Sequence, residues 1–189
     1  MNDEILDKQL YQKFMWGNQQ AFEELVQKYK NNIIYFISRY TKNIEAAEDI
    51  SQDVFVYILL HKQKYNFQYS LKGYLYMIAK SKALNYIQKE KRIVKMGEIT
   101  QAVEEQIADK ELEEAIFQKD KISRIQNVMS QMKQEQQIAI YLADFEKLPY
   151  EEIGRILKRS QSNIKSLIYR SREKLKELLE KEGIVYENE

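Results

Sequence analysis

From Gln19 to Thr41 the apolar residues return every third or fourth position: Phe22, Leu25, Val26, Tyr29, Ile33, Phe36, Ile37 and Tyr40. That spacing keeps one stripe of a helix apolar for six turns and fits no strand, whose period is two. Asn18 stands where a side-chain oxygen caps the first turn, and Trp16-Gly17-Asn18 separates this helix from a shorter one at about 3–16. The shorter helix would place Ile5, Leu6, Leu10, Phe14 and Met15 on one side. A second Asn, Asn43, opens IEAAEDISQDVFVYILL with Ile44, Ala47, Ile50, Val54, Tyr57 and Ile58 inward and Glu48, Asp49, Gln52 and Asp53 outward. KYNFQYS, residues 64–70, lacks the period and reads as a loop before a helix over 71–92. The period weakens over 93–120, which reads as a linker with a helical piece near 104–119. It returns from 121 with Ile122, Ile125, Val128, Met129 and Met132. Helices at about 121–131, 134–145, 149–157 and 160–181 complete the chain. One proline and five glycines in 189 residues leave few sites for the turns of a β fold. The expected class is all-α, with two helical bundles joined by a linker.

Charge divides the chain along the same lines. Residues 1–61 hold 6 Lys/Arg against 9 Asp/Glu, 62–92 hold 8 against 1, 93–122 hold 4 against 8, and 123–189 hold 12 against 11. Within GRILKRSQSNIKSLIYRSREK, residues 154–174, seven cations face the single acid Glu173. Two basic blocks separated by an acidic segment suit a polyanion gripped in two places. No cysteine and a lone His61 leave no thiolate, metal cluster or thiol nucleophile, and no glycine loop cradles a phosphate. No cofactor, no metal and no catalytic residue are therefore expected. The longest apolar run, VFVYILL, is far shorter than the roughly 20 residues of a membrane helix. MNDEILDKQL has neither the basic nor the apolar part of an export signal. A soluble, cytoplasmic protein with no membrane insertion is expected.

Two helices with a short gap, 149–157 and 160 onward, have helix-turn-helix spacing. Ile153, Ile156 and Leu157 would pack against Ile164, Leu167 and Ile168; Gly154 permits close approach and Ser160 caps the second helix. Its outer face then shows Gln161, Asn163, Lys165, Ser166, Tyr169 and Arg170, amides and hydroxyls for base edges and cations for phosphate or guanine. The plainer alternative is a helical hairpin with a solvated basic side. In the first block, Lys62, Lys64, Tyr65, Phe67, Tyr69, Lys72, Tyr74 and Tyr76 interleave charge and rings, a pattern suited to stacking unpaired bases. Leu75 and Ile78 read as core; Tyr65, Phe67 and Tyr69 on the loop read as a base platform. The acidic side at Glu48, Asp49, Gln52 and Asp53 would repel DNA. On the residues alone it is either a solvated face or a dock for a basic protein.

The chain resembles the extracytoplasmic-function (ECF) group of bacterial RNA polymerase sigma factors over about 10–180. GNQQAFEELVQKY (17–29) is similar to the opening helix of that family's region 2, and NIEAAEDISQDVF (43–55) to its core-binding helix. LKGYLYMIAKSKALNYIQKEKR (71–92) is similar to the segment that melts and reads the −10 element, and LPYEEIGRILKRSQSNIKSLIYRSREKLKELL (148–179) to region 4, which reads the −35 element. The resemblance implies region 2 over 1–92, an acidic linker over 93–120 in the polymerase's RNA-exit path, region 4 over 121–182 and a tail over 183–189. It implies that Glu48, Asp49, Gln52 and Asp53 meet the β′ clamp helices of core polymerase, with the β flap as a second contact. It implies that Tyr65, Phe67 and Tyr69 belong to the loop capturing a flipped −10 base, that Lys80, Ser81, Asn85 and Gln88 face the −10 strand, and that Lys165, Ser166, Tyr169 and Arg170 contact the −35 duplex. Promoter DNA, core polymerase and an anti-sigma protein are the partners it implies. The sequence departs from the pattern at Ser81 (usually Asn), Met77 (commonly basic), Pro149 (usually a Ser cap), Lys158-Arg159 (usually Gly and an apolar residue) and Leu167 (frequently Arg). The −35 docking geometry is thus expected to hold without a transferable sequence preference. The competing reading is a dimeric, stand-alone helix-turn-helix regulator, which would have no use for the acidic helix followed by a basic aromatic loop.

Overall fold

A computed structural model describes residues 2–96 and 127–183, and its chain divides into two compact units. Among the described residues every regular element is helical, and no helix is long and apolar enough to cross a membrane.

The first unit contains α1 (Asn2–Met15), α2 (Gln19–Thr41), α3 (Ile44–Leu60), a short 3-10 turn (Lys62–Lys64) and α4 (Leu71–Met96). The expected caps are present. Asn18 Oδ1 accepts the Ala21 N–H at 2.9 Å and Asn43 Oδ1 accepts that of Ala46 at 3.0 Å. Ser70 Oγ accepts the Gly73 N–H at 3.0 Å at the head of α4. Gly17 takes the turn between α1 and α2 at φ +96°, a conformation that a side chain would resist. Helix α4 runs past the expected end at 92 to Met96; the expected helical piece at 104–119 lies outside the described residues.

Helix α2 is the centre of the bundle and touches α1, α3 and α4. Ile33 through Arg39 are consequently all buried, so the apolar stripe read from the sequence understated its burial. In α1 the expected inward side is partly wrong: Ile5 is 54% and Leu6 49% exposed. Asp7, Leu10, Tyr11 and Phe14 make up the buried row instead. Asp7 goes inside because α2 supplies partners: its carboxylate accepts the Lys28 ammonium at 2.7 Å and, by a short bond, the Tyr29 hydroxyl. In α3 the buried residues include Ala47, Ile50, Val54 and Ile58 as expected, while Ile44 and Tyr57 are only half-buried.

The second unit holds a helical turn at 127–130, α5 (Gln134–Ile140), which widens into one π turn (Tyr141–Phe145), α6 (Tyr150–Leu157) and α7 (Gln161–Lys181). Val128, Met129, Met132 and Ile140 pack with Leu175, Leu178 and Leu179 in one cluster. These leucines are thus core and offer no apolar surface for pairing with a second copy. The expected contacts Ile153, Ile156, Ile164, Leu167 and Ile168 are buried, and Leu157 is half-buried. Ile122 and Ile125 lie outside the described residues.

Candidate nucleic-acid interface

The pair α6–α7 is held by a tight turn. The Arg159 N–H donates to the Gly154 carbonyl at 2.9 Å, and a Cβ on Gly154 would stand 2.7 Å from the Arg159 carbonyl oxygen. Close approach there admits only glycine, as its place in the sequence indicated. Lys158 closes α6 in the left-handed region at φ 57°, where glycine is usual. Ser160 Oγ then accepts the Asn163 N–H at 3.3 Å and starts α7. With Ile164, Leu167 and Ile168 turned inward, Gln161, Asn163, Lys165, Ser166, Tyr169 and Arg170 are all exposed on the first three turns. They form two neighbouring rows, 161-165-169 and 163-166-170. Tyr169 is 66% exposed, and Arg170 Nε donates to the Ser166 carbonyl at 3.2 Å.

The basic run itself is thinner than its sequence. Arg155 lies 3.8 Å from Glu151 and 3.9 Å from Glu152, Lys174 bonds Glu177 at 3.0 Å, and Arg159 pairs with Glu135. Arg172 makes a two-pronged pair with Asp144 of the π turn, and those hydrogen bonds raise its already high guanidinium pKa further. Among the described residues, only Lys158, Lys165 and Arg170 of that run have no carboxylate within salt-bridge reach. Of these, Lys165 and Arg170 fall on the two exposed rows. The cations most visible in the sequence are therefore split between fastening the unit and facing outward.

In the first unit the loop before α4 differs from the expectation. Tyr65 is only 5% exposed. Its ring packs on Tyr11 and Phe67, both at 4.7 Å, and its hydroxyl donates to the Tyr69 carbonyl at 2.7 Å. Burial against Tyr11 of α1 and Tyr74 of α4 takes Tyr65 out of a base platform and makes it the anchor of the loop. Phe67 is half-buried beside it, and Tyr69 is 43% exposed. On α4, Ser81, Asn85 and Gln88 are exposed along one row with Met77, while Lys80 is half-buried. Tyr76 is fully buried against Phe36, and so belongs to the core.

Glu48, Asp49, Gln52 and Asp53 are all exposed on α3. Glu45, Asp49 and Asp53 line a cleft closed on the α4 side by Tyr86. Burial, then the charges of Glu90 and Asp49, raise the Tyr86 phenol pKa. A cleft with three carboxylates on one wall favours a cation. The same helix continues into exposed Val56, Leu59 and Leu60, 50%, 49% and 71% accessible. A grouping that sequence reading missed lies beside it: Lys64 and Lys82 both stand over the Tyr57 ring, at 5.6 and 5.7 Å, and Lys82 lies 3.9 Å from Asp53. These residues come from three elements, so no local spacing could have grouped them.

Residues 17–93 match the family model of Sigma-70 region 2, and residues 122–175 that of Sigma-70 region 4. The chain is 26% identical over 164 residues to the ECF RNA polymerase sigma factor SigM of Bacillus subtilis, covering 84% of this chain and 94% of that one. It is 25% identical over 181 residues to the RNA polymerase sigma-H factor of Pseudomonas aeruginosa, covering 92% and 94%. Among solved structures it resembles the sigma factor RpoE bound to the anti-sigma factor NepR from Bartonella quintana, with TM-score 0.66, 20% identity and coverage of 85% and 98%. It also resembles CnrH bound to the cytosolic domain of CnrY, with TM-score 0.61, 18% identity and coverage of 94% and 97%.

Proposed function

Since the chain belongs to the ECF group of RNA polymerase sigma factors and is an alternative sigma factor that directs transcription initiation, we propose how its surfaces divide that work. The exposed rows of α7, Gln161, Asn163, Lys165, Ser166, Tyr169 and Arg170, enter the −35 major groove, with the amide and hydroxyl groups at base edges and Lys165 on phosphate. The α4 row of Ser81, Asn85 and Gln88, with Lys80, Phe67 and Tyr69, follows the separated −10 strand. Tyr65 acts behind them by fixing the loop. The acidic face of α3, Glu48, Asp49, Gln52 and Asp53, docks on the β′ clamp helices of core polymerase, and Val56, Leu59 and Leu60 extend that surface with apolar area. Region 4 meets the β flap. In this reading the domains run over 1–92 and 121–182, joined by the acidic linker 93–120, and the chain works in the cytoplasm without covalent chemistry of its own. An anti-sigma protein is its regulator, as in the complex of RpoE with the anti-sigma factor NepR.

One observation carries the reading: an exposed carboxylate face and an exposed face of amides, hydroxyls and cations stand on the two matched regions of one chain. A stand-alone regulator leaves the first face unused and is not favoured. The test is co-elution of the purified chain with sigma-free core polymerase, followed by permanganate probing of promoter DNA. Co-elution with thymines becoming reactive near −10 is the expected result. A dimer on duplex DNA that ignores polymerase would overturn it.

A further inference from the structure

The pair between Arg172 and Asp144 carries an inference that rests on the reading of α7 as the −35 helix and adds a residue to it. We propose that Arg172 is a positioning residue for −35 recognition: held by Asp144 of the π turn, it fixes α7 at the angle that its exposed rows need in the groove, and it does not itself touch DNA.

By position alone Arg172 would be a further DNA contact. It follows Tyr169 by three residues and continues the row 161-165-169 by one turn. Its partner assigns it another task. Arg172 Nε donates to Asp144 Oδ2 at 3.1 Å, and a second, short bond runs from the guanidinium to Oδ1. Both carboxylate oxygens are engaged by one planar fork, which adds geometric definition to charge. The Asp144 side chain is 27% exposed, against 73% for Glu151 and 50% for Glu177 in neighbouring ion pairs, so solvent screens this pair less. Tyr150, the first residue of α6, adds to the hold of Asp144 on the protonated guanidinium.

The helix-turn-helix is then tied at two places. One is its turn, where the Arg159 N–H meets the Gly154 carbonyl at 2.9 Å. The other is the entry to α6. There the Glu146 N–H donates to the Tyr141 carbonyl and the Leu148 N–H to the Leu142 carbonyl, both at 3.0 Å, which binds the π turn to the segment leading into α6. Asp144 stands inside that segment, so its fork with Arg172 ties the start of α6 to the middle of α7. Burial of Ile153 and Ile156 holds the two helices together without direction. Two separated polar ties set the angle between them. That angle matters because hydrogen bonds to base edges weaken steeply with misalignment, whereas attraction to phosphate does not. Loss of the fork should therefore cost sequence preference before it costs affinity for DNA in general.

The test uses holoenzyme assembled from the full chain and sigma-free core polymerase. Its DNA is a promoter duplex that the wild-type holoenzyme selects from a pool randomised at −35. Competition by the same duplex with −35 scrambled gives the preference, and titrations at several salt concentrations give the slope. Arg172→Ala and Asp144→Ala should each reduce the preference by at least about fivefold, the loss of one base contact. The slope of Arg172→Ala should match wild type, whereas loss of a direct phosphate contact would lower it by about 0.9. Asp144→Ala is the sharper variant, because removing an acid from a DNA-binding unit would by charge alone tighten binding. The double variant should lose no more than either single one, since both remove the same interaction. Arg172→Lys keeps the charge but cannot fork, so it should behave as the alanine variant does and replaces it if that one melts. Arg159→Ala removes another ion pair of the unit and should keep the full preference, with circular dichroism checking each fold. An unchanged preference in Arg172→Lys and Asp144→Ala, additive losses in the double variant, an equal loss in Arg159→Ala, or a lowered slope in Arg172→Ala would overturn the positioning role. A wild-type holoenzyme that selects no −35 sequence would instead overturn the reading of α7 itself.

Discussion

Asp7 shows how one buried charge is tolerated. It is 3% exposed yet accepts from both Lys28 and Tyr29, so α1 is fastened to α2 by polar bonds that the apolar pattern does not reveal. Asp7→Ala should lower unfolding stability by about 1–3 kcal/mol, read by urea denaturation, because it removes the carboxylate that accepts from the buried Tyr29 hydroxyl and leaves the Lys28 ammonium the longer bond to exposed Asp3. Burial alone would lower the Lys28 pKa, but Asp7 and Asp3 outweigh it and the value is raised. A raised lysine contributes stability that is complete below its unfolded pKa and is lost as pH rises through its folded one. The α1–α2 contact should therefore be insensitive to pH near neutrality and weaken in strongly alkaline solution. At the other end of the chain, Gly154 and Lys158 are opposite cases. Gly154→Ala forces a Cβ to 2.7 Å from a backbone carbonyl and should cost about 1–3 kcal/mol. Lys158→Gly should relieve the left-handed strain and raise stability by roughly 1 kcal/mol, since φ 57° costs a side-chain-bearing residue about that much. Thermal melts of the two variants should shift in opposite directions.

At the scale of the element, α7 is one helix with two duties. Its inner stripe closes the second unit and its outer rows face solvent; of its cations, Arg172, Lys174 and Lys181 are paired with carboxylates, while Lys165 and Arg170 stand on the outer rows. Lys165→Ala should weaken binding of the polymerase holoenzyme to promoter DNA and reduce the logarithmic salt slope by about one, as expected for one duplex phosphate. Arg159→Ala, whose guanidinium is engaged by Glu135, should leave the slope unchanged and alter stability by less than about 1 kcal/mol. Equal slopes in the two variants would refute the division. Helix α3 is divided along its length instead, with exposed carboxylates first and exposed Val56, Leu59 and Leu60 after them. Asp53→Ala should lower affinity for core polymerase in a pull-down or titration while unfolding stability stays within about 0.5 kcal/mol of wild type, as for other exposed positions. A matching loss of stability would make Asp53 structural.

At the scale of the molecule, 30 cations almost balance 29 anions, so the free chain lacks the excess positive charge that drives tight binding to DNA. Its specificity should emerge only when polymerase engages both regions. A second contact then gains from the effective concentration set by the first. In gel shifts, the isolated chain should bind promoter and scrambled duplexes with similar weak affinity, and addition of core polymerase should separate them. Strong promoter preference by the chain alone would contradict this.

Much of this was legible without coordinates, for a physical reason. Helical period, Asn and Ser caps, the glycine at the helix-turn-helix and the outward polar rows of α3 and α7 are local properties, settled within a turn or two of backbone. The sequence by itself therefore determined the helices, their caps and which way Glu48, Asp53, Lys165 and Tyr169 would face. What it left open depends on neighbours brought in from afar. Tyr65 looked like a loop aromatic free to stack, and burial against Tyr11 made it an anchor. Seven cations in a row looked like one patch, and Glu135 and Asp144 drew Arg159 and Arg172 into the fabric of the unit. The meeting of Asp53, Tyr57, Lys64 and Lys82 exists only because α3, the 3-10 turn and α4 converge. Partners for charges and rings are chosen by distance in space, and only the tertiary structure decides that distance.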